Sequence, residues 1–160
     1  MENQFNIKEV KVHRTLEGNI FEIAFAVIAI VVWGIIIWMV HQAPDIVATH
    51  FDASGQPNDW GSKYGILIPC CIISLVGVGL MMTAYFPNRI NLPFKITNIR
   101  QVELAIRQVR IAGVILLLLA LAIAYSLLGM KSPSSVPILA VVALLFADIF
   151  LFTALIRGAR

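Results

Sequence analysis

Residues 111–129 read IAGVILLLLALAIAYSLLG. No charged residue and no proline interrupts the run. A helix needs about 20 such residues to cross the hydrocarbon core of a bilayer, so this stretch is long enough to span one. Backbone polar groups in lipid must bond within their own segment, which favours a helix over an isolated strand. Three more runs share the character: 20–40, with FEIAFAVIAIVVWGIIIWMV at 21–40; 64–86, YGILIPCCIISLVGVGLMMTAYF; and 136–156, VPILAVVALLFADIFLFTALI. One such block alone reads as a buried core helix. Four of them in 160 residues leave too little polar sequence to cover them in water. The expected fold is therefore all-α, an integral membrane four-helix bundle forming one domain over 1–160.

Composition agrees. Hydrophobic residues make up 59% of the chain and charged ones 13%, with a mean hydropathy of +0.88. A soluble domain carries about 45–50% apolar and about 25% charged residues. The net charge of +3 comes from scattered basic residues rather than a folded patch, which argues against nucleic acid as a partner. Cys70 and Cys71 are adjacent inside the second run, and neighbouring cysteines rarely meet disulfide geometry. Both are expected to be buried packing thiols. The first run is too long for a signal peptide, and no small-x-small cleavage site precedes the loop after it.

Lys and Arg in the flanks set orientation. Lys8, Lys11 and Arg14 precede the first run; Arg89, Lys95, Arg100, Arg107 and Arg110 separate the second and third; Arg157 and Arg160 close the chain. The remaining loops carry only Lys63 and Lys131. Ten basic residues against two place both termini and the second loop in the cytoplasm, and the first and third loops outside. Trp38, Trp60 and Tyr64 outside, with Tyr85 and Phe86 inside, suit an interfacial aromatic belt.

The second loop is more than a turn. After Pro87 and Pro93, the segment 96–110 is amphipathic: Ile96, Ile99, Val102, Ile106 and Val109 share one helical face, and Arg100, Gln101, Arg107 and Gln108 the other. It reads either as an extension of the third span packed on its own bundle, or as a surface for anionic lipid or a cytosolic regulator through Arg100, Arg107 and Arg110. A continuous helix from 97 to 129 would be about 50 Å long. The third loop, MKSPSS, is a short turn with Pro133 and Ser134 as breakers, so spans three and four should form an antiparallel hairpin.

The first outer loop, 41–63, is dense in polar and turn-forming residues. Asp52-Ala53-Ser54-Gly55 reads as a tight turn, Ile46 to Phe51 as extended, and Ser62 as a cap opening the second span. His50 and Asp52 share a face of an extended segment, and His41, Asp45 and Asp59 are near in sequence. Imidazole and carboxylates can ligate a metal, but no tight metal spacing is present, so no metal and no cofactor are expected. The alternative is a structural cap in which His50, Asp59 and Lys63 bond each other and the loop backbone. The loop's formal charge of −2, from Asp45, Asp52 and Asp59 against Lys63, would attract a cationic peptide.

The string Pro44-Asp45-Ile46-Val47-Ala48-Thr49-His50-Phe51, followed by Gly55, Pro57, Asp59, Trp60, Gly61, Ser62 and Lys63, resembles the signature of a bacterial membrane family. That family is the domain of unknown function at the amino end of SdpI-type immunity proteins. Its usual form is Pro-x-x-Ile-Pro-x-His-Phe, then Gly-x-Pro-Asp and a Trp-Gly-Ser-Lys-like end. Leu92 to Thr97 is similar to the family's second loop, and the resemblance is best over 20–110. Ala48 stands where the family usually has proline, and the Gly-Ile-Arg-Thr-like motif of a later SdpI segment is not found. The resemblance implies a four-span protein of the bacterial cytoplasmic membrane, whose SdpI relatives protect cells against a secreted peptide toxin and signal its presence.

Asp148 is the remaining signal. It lies well inside the fourth run, where a charge costs about 2.5–3.5 kcal/mol on insertion scales. It reads as a proton or cation relay, or as a structural group bonded to Thr83, Ser74 or a neighbouring backbone. Glu22 opens the first run and can reach the interface. The outer-loop cluster expected to matter is His50, Asp52, Asp59, Trp60 and Lys63. Three function classes follow: immunity to or sensing of an antimicrobial peptide, proton- or cation-coupled transport through Asp148, and a scaffold for a cytosolic regulator. An enzyme is not expected, because no nucleophile–base set, phosphate loop or strong metal motif appears.

Overall fold

The computed structural model describes residues 5–129 and 133–159. Lys131, Arg160 and the 130–132 part of the third loop lie outside the described residues. Among the described residues four helices are long and apolar enough to cross a membrane: α1 (Leu16–Gln42), α2 (Leu67–Thr83, preceded by a 3-10 turn at Lys63–Ile66), α3 (Ile99–Leu128) and α4 (Val136–Gly158). Between α1 and α2 lies a hairpin of two short antiparallel strands, β1 (Ile46–Phe51) and β2 (Pro57–Ser62). The architecture is an all-α membrane-type bundle with a minor sheet.

The helices do not share the core equally. α3 is the hub: α1, α2 and α4 each pack chiefly against it, and it is far more buried than they are. Its small residues allow this. Ala105, Ala112, Gly113, Ala120, Ala122 and Ala124 are all buried, letting neighbours approach closely on several sides. Gly77 of α2 and Gly113 of α3 come close enough that a Cβ on either would stand 3.0 Å from the other's carbonyl oxygen. Two turns along, Cys70 donates its thiol to the Ala120 carbonyl at 3.3 Å. Cys71, expected to be buried beside it, is exposed. Consecutive helical residues point about 100° apart, so only one of the pair can face α3. Trp33 of α1 donates its indole N–H to Ser74 Oγ at 3.2 Å, and Ser74 donates to the Cys70 carbonyl at 2.8 Å.

α4 joins the bundle through α3 alone in the main. Asn98 and Gln101 cap α3 and dock α4 at once. Asn98 Oδ1 accepts from the Gln101 N–H at 3.0 Å, and its amide donates to the Ala159 carbonyl at 2.7 Å. Gln101 Oε1 accepts from the Thr97 N–H at 2.7 Å, and Nε2 donates to the Ile156 carbonyl at 3.0 Å. The Gln101 N–H and the Ala159 carbonyl, which the helix ends leave without intrahelical partners, are thereby satisfied.

α3 is continuous through the amphipathic segment, about 45 Å of helix for its 30 residues. Val102, Ile106 and Val109 are buried with Ala84, and Phe5, Ile7, Val10, Val12, Ile90 and Ile96 pack over them. The amino-terminal segment and the second loop thus cover the apolar face, as in the reading in which the third span simply extends.

Candidate functional site

The hairpin that follows α1 is built from a few polar anchors. α1 ends at Gln42, and Ala43 turns the chain out of the helix. β1 then pairs with β2 from Ile46↔Ser62 to Phe51↔Pro57. The register shifts on both sides of His50, so Thr49 and Asn58 fall out of the one-to-one pairing. Their side chains bond across the irregularity: Thr49 Oγ1 donates to Asp59 Oδ2 at 3.2 Å, and His50 Nδ1 lies 2.6 Å from Asn58 Oδ1. Before the shift, Val47 and Ala48 pair regularly with Gly61 and Trp60, yet both are buried although adjacent strand residues face opposite ways. They join a cluster with Val40 and Ala43 of the first helix's end, Ile66, and Ala124 and Leu128 of α3. The hairpin is therefore seated on the end of the bundle.

Its tip is set by Asp52 and Gly55. One Asp52 carboxylate oxygen accepts from the Ser54 N–H at 2.8 Å, the Ser54 hydroxyl at 2.6 Å and the Gln56 N–H at 3.0 Å. These bonds favour the charged form, the Ser54 hydroxyl most, and hold the carboxyl below its ordinary pKa. Gly55 has φ +80°, a conformation costly for other residues. A Cβ there would come within 2.7 Å of Ser135 Oγ, so the tip rests against the residue that precedes α4.

Lys63 is the buried anchor at the base, 9% exposed. Its Nζ donates to the Ala43 carbonyl at 2.9 Å and lies 3.2 Å from Asp45 Oδ1. Its own N–H donates to the Asp45 carbonyl at 3.0 Å. Ser62 caps the turn that leads into α2, accepting from the Tyr64 N–H at 3.4 Å.

The expected outer-loop cluster thus divides. Lys63 ties the hairpin's base to α1, and Asp52 holds its tip. His50 and Asp59 each bond a residue of the opposite strand, Asn58 and Thr49, and not each other or Lys63. Trp60 pairs opposite Ala48 and leaves its side chain 55% exposed. Among the described residues no three His, Cys, Asp or Glu side chains cluster as a metal site would require. The displayed surface is His50, Asp52, Asp59 and Trp60: an aromatic with acids on a firmly seated platform. The second strand, Pro57–Ser62, was not legible in advance, because Pro, Asn, Asp and Gly disfavour strands.

A family model described as a domain of unknown function, DUF1648, matches residues 27–74. The domain is one found in SdpI-like membrane proteins. The matched stretch contains the last four turns of α1, the whole hairpin and the start of α2, and stops short of the second loop. No curated protein matches the chain, and no solved structure does.

Asp148 sits on α4 one turn before Phe152 and two before Ile156, the residues that pack against Leu104 and Ala105 of α3. It is buried, and its Oδ2 has no hydrogen-bond partner among the described residues. Neither suggested neighbour bonds it: Thr83 donates to the Gly79 carbonyl and Ser74 to that of Cys70, each within its own helix. Glu22 accepts from the Tyr85 hydroxyl, joining the ends of α1 and α2.

The three arginines expected to form one basic surface are separated. Arg100 is exposed and lies 3.5 Å from Glu103. Arg107 grips Glu17 with two bonds of 2.6 and 2.9 Å. Arg110 is buried between α3 and α1, its guanidinium 5.9 Å from the Phe21 ring centre. The arginines lie on one side of α3 but differ in cover: α1 and the amino-terminal segment pack over Arg107 and Arg110 and leave Arg100 exposed.

Proposed function

We propose that this chain is an SdpI-like protein of the bacterial cytoplasmic membrane, with both termini inside, that senses or confers immunity to a secreted antimicrobial peptide. The hairpin is the recognition element. The observation that carries this reading is the coincidence of the family match with a seated hairpin that leaves Trp60 half exposed and bears Asp52, Asp59 and His50, all exposed, along its strands and tip. A half-exposed indole on a hairpin that also carries exposed carboxylates suits an amphipathic cationic peptide: the ring takes its apolar side and the acids steer its charge. The seat on α3 and on Ser135 supports preorganisation, which lowers the ordering cost of binding.

The test is killing of a sensitive host by candidate peptides with and without the protein. Protection should fall with Trp60→Ala and with Asp59→Asn at unchanged membrane abundance. Identical killing of expressing and non-expressing cells by every peptide refutes the reading.

A second reading, proton- or cation-coupled transport, rests on the unpartnered Oδ2 of Asp148. Intramembrane acids that face the bundle recur in ion pathways. It requires a flux that Asp148→Asn abolishes, and unchanged flux in that variant removes it.

A further inference from the structure

A cavity of about 390 Å³ lies between the segment leading into α1 and the first turns of α3. Val10, Val12, Val102 and Ile106 supply apolar wall, and Lys11 and Arg110 are among its polar lining. Arg110 is 5% exposed, and its Nε is buried with no hydrogen-bond partner among the described residues. A guanidinium taken out of water is costly unless an anion and hydrogen-bond acceptors meet it. The two acids that line the cavity are engaged elsewhere: Glu17 is held bidentately by Arg107, and Glu103 faces Arg100. Neither Lys11 nor Arg110 makes a direct ion pair among the described residues, and the one acid that feels the Arg110 charge, Glu17, is already held by two bonds to Arg107.

We propose that this cavity binds a phosphoryl group, with Arg110 as the deep donor and Lys11 at the mouth. Guanidinium suits a phosphate oxyanion because its planar donors match two oxygens at once, and an ammonium adds a mobile point charge. Position supports the same chemistry. Arg110 is the last residue before the apolar run 111–129, which puts it at the depth of membrane headgroups, on the face that the charge count turns to the cytoplasm. The valine and isoleucine walls suit the glycerol and first methylenes of a phospholipid, and a free phosphate ion offers the same oxyanion.

The test is the melting temperature of the full chain in a neutral detergent. Three additions are compared with sodium chloride at matched ionic strength: a short-chain phosphatidylglycerol, the diacylglycerol of the same chain length, and inorganic phosphate. The phosphatidylglycerol should raise the melting temperature saturably and the diacylglycerol should not. Arg110→Met and Lys11→Met should each weaken the apparent affinity about tenfold, the size of a lost charged hydrogen bond. An equal effect of inorganic phosphate supports the site and identifies free phosphate as its source. A shift with diacylglycerol as large as with phosphatidylglycerol overturns the proposal, as does a response of the variants equal to the parent's. Lys11 is exposed, so Lys11→Met keeps the comparison decisive if Arg110→Met fails to fold.

Discussion

Replacing Gly113 by alanine tests the contact that centres the bundle. An added Cβ would stand 3.0 Å from the Gly77 carbonyl oxygen and 3.3 Å from Met81 Cγ. Met81 can swing away, but the carbonyl belongs to a helix backbone and moves only with α2. Such overpacking costs about 1–3 kcal/mol. Alanine is a better helix former than glycine by about 0.8–1.0 kcal/mol, which offsets part of it. Gly113→Ala should therefore destabilise by about 1 kcal/mol, and Gly113→Leu by about 3 kcal/mol or more. Gly79 supplies the control, because a Cβ there meets nothing within 4 Å. Gly79→Ala should keep only the propensity term and stabilise by up to about 1 kcal/mol. The gap of about 2 kcal/mol between the two alanine variants is about 30-fold in the unfolding constant. It can be read by titrating the detergent-solubilised protein with dodecyl sulfate while following helicity. If the two alanine variants agree within about 0.5 kcal/mol, α2 and α3 do not meet at these glycines.

The hairpin offers two further tests. Lys63→Met removes the donor to the Ala43 carbonyl and should cost about 1–3 kcal/mol, read as about tenfold or more faster hydrogen exchange in β1 and β2. Asp45→Ala should change the same amides far less, because the Asp45 side chain is 93% exposed and screened by water. Undiminished protection in Lys63→Met would show that the anchor is idle. Asp52 makes the tip pH-dependent. Its folded pKa lies below the ordinary value of about 3.9, so its stabilisation is fully present above that value. The stabilisation is lost as pH falls through the lowered one. The local opening equilibria of the Ser54 and Gln56 amides, from exchange rates corrected for intrinsic pH dependence, should rise only in that acid window. An opening that instead sets in near neutrality would assign the tip's stability to another group.

The spans were legible because apolar length alone selects them, and the tip because Asp-Ala-Ser-Gly has turn chemistry in its own side chains. The inequality among the helices was harder to read. All four runs look alike in hydropathy, since lipid and a helical neighbour both demand apolar residues. Only the alanines and glycine of 105–124 hinted that α3 would have neighbours on several sides. Asp59 and His50 were singled out by type, but their partners, Thr49 and Asn58, follow from a register shift that no spacing rule reveals. Arg110 was grouped with Arg100 and Arg107 on a common surface. Its burial depends on α1 and the amino-terminal segment, which lie about 90 residues away in sequence.

The central place of α3 has a consequence for the order of synthesis. The ribosome delivers α1, the hairpin and α2 before the helix on which all three are seated. Until Leu128 is made, the small-residue face of Ser74 and Gly77 has only lipid or a membrane-embedded chaperone against it, and Val47 and Ala48 have no far wall. The nascent hairpin therefore settles late, after both α2 and α3 have been made. A transcript broken within α3 should yield a product that inserts but is cleared by proteases, whereas one broken after Ser135 retains the hairpin's seat and loses the peripheral helix.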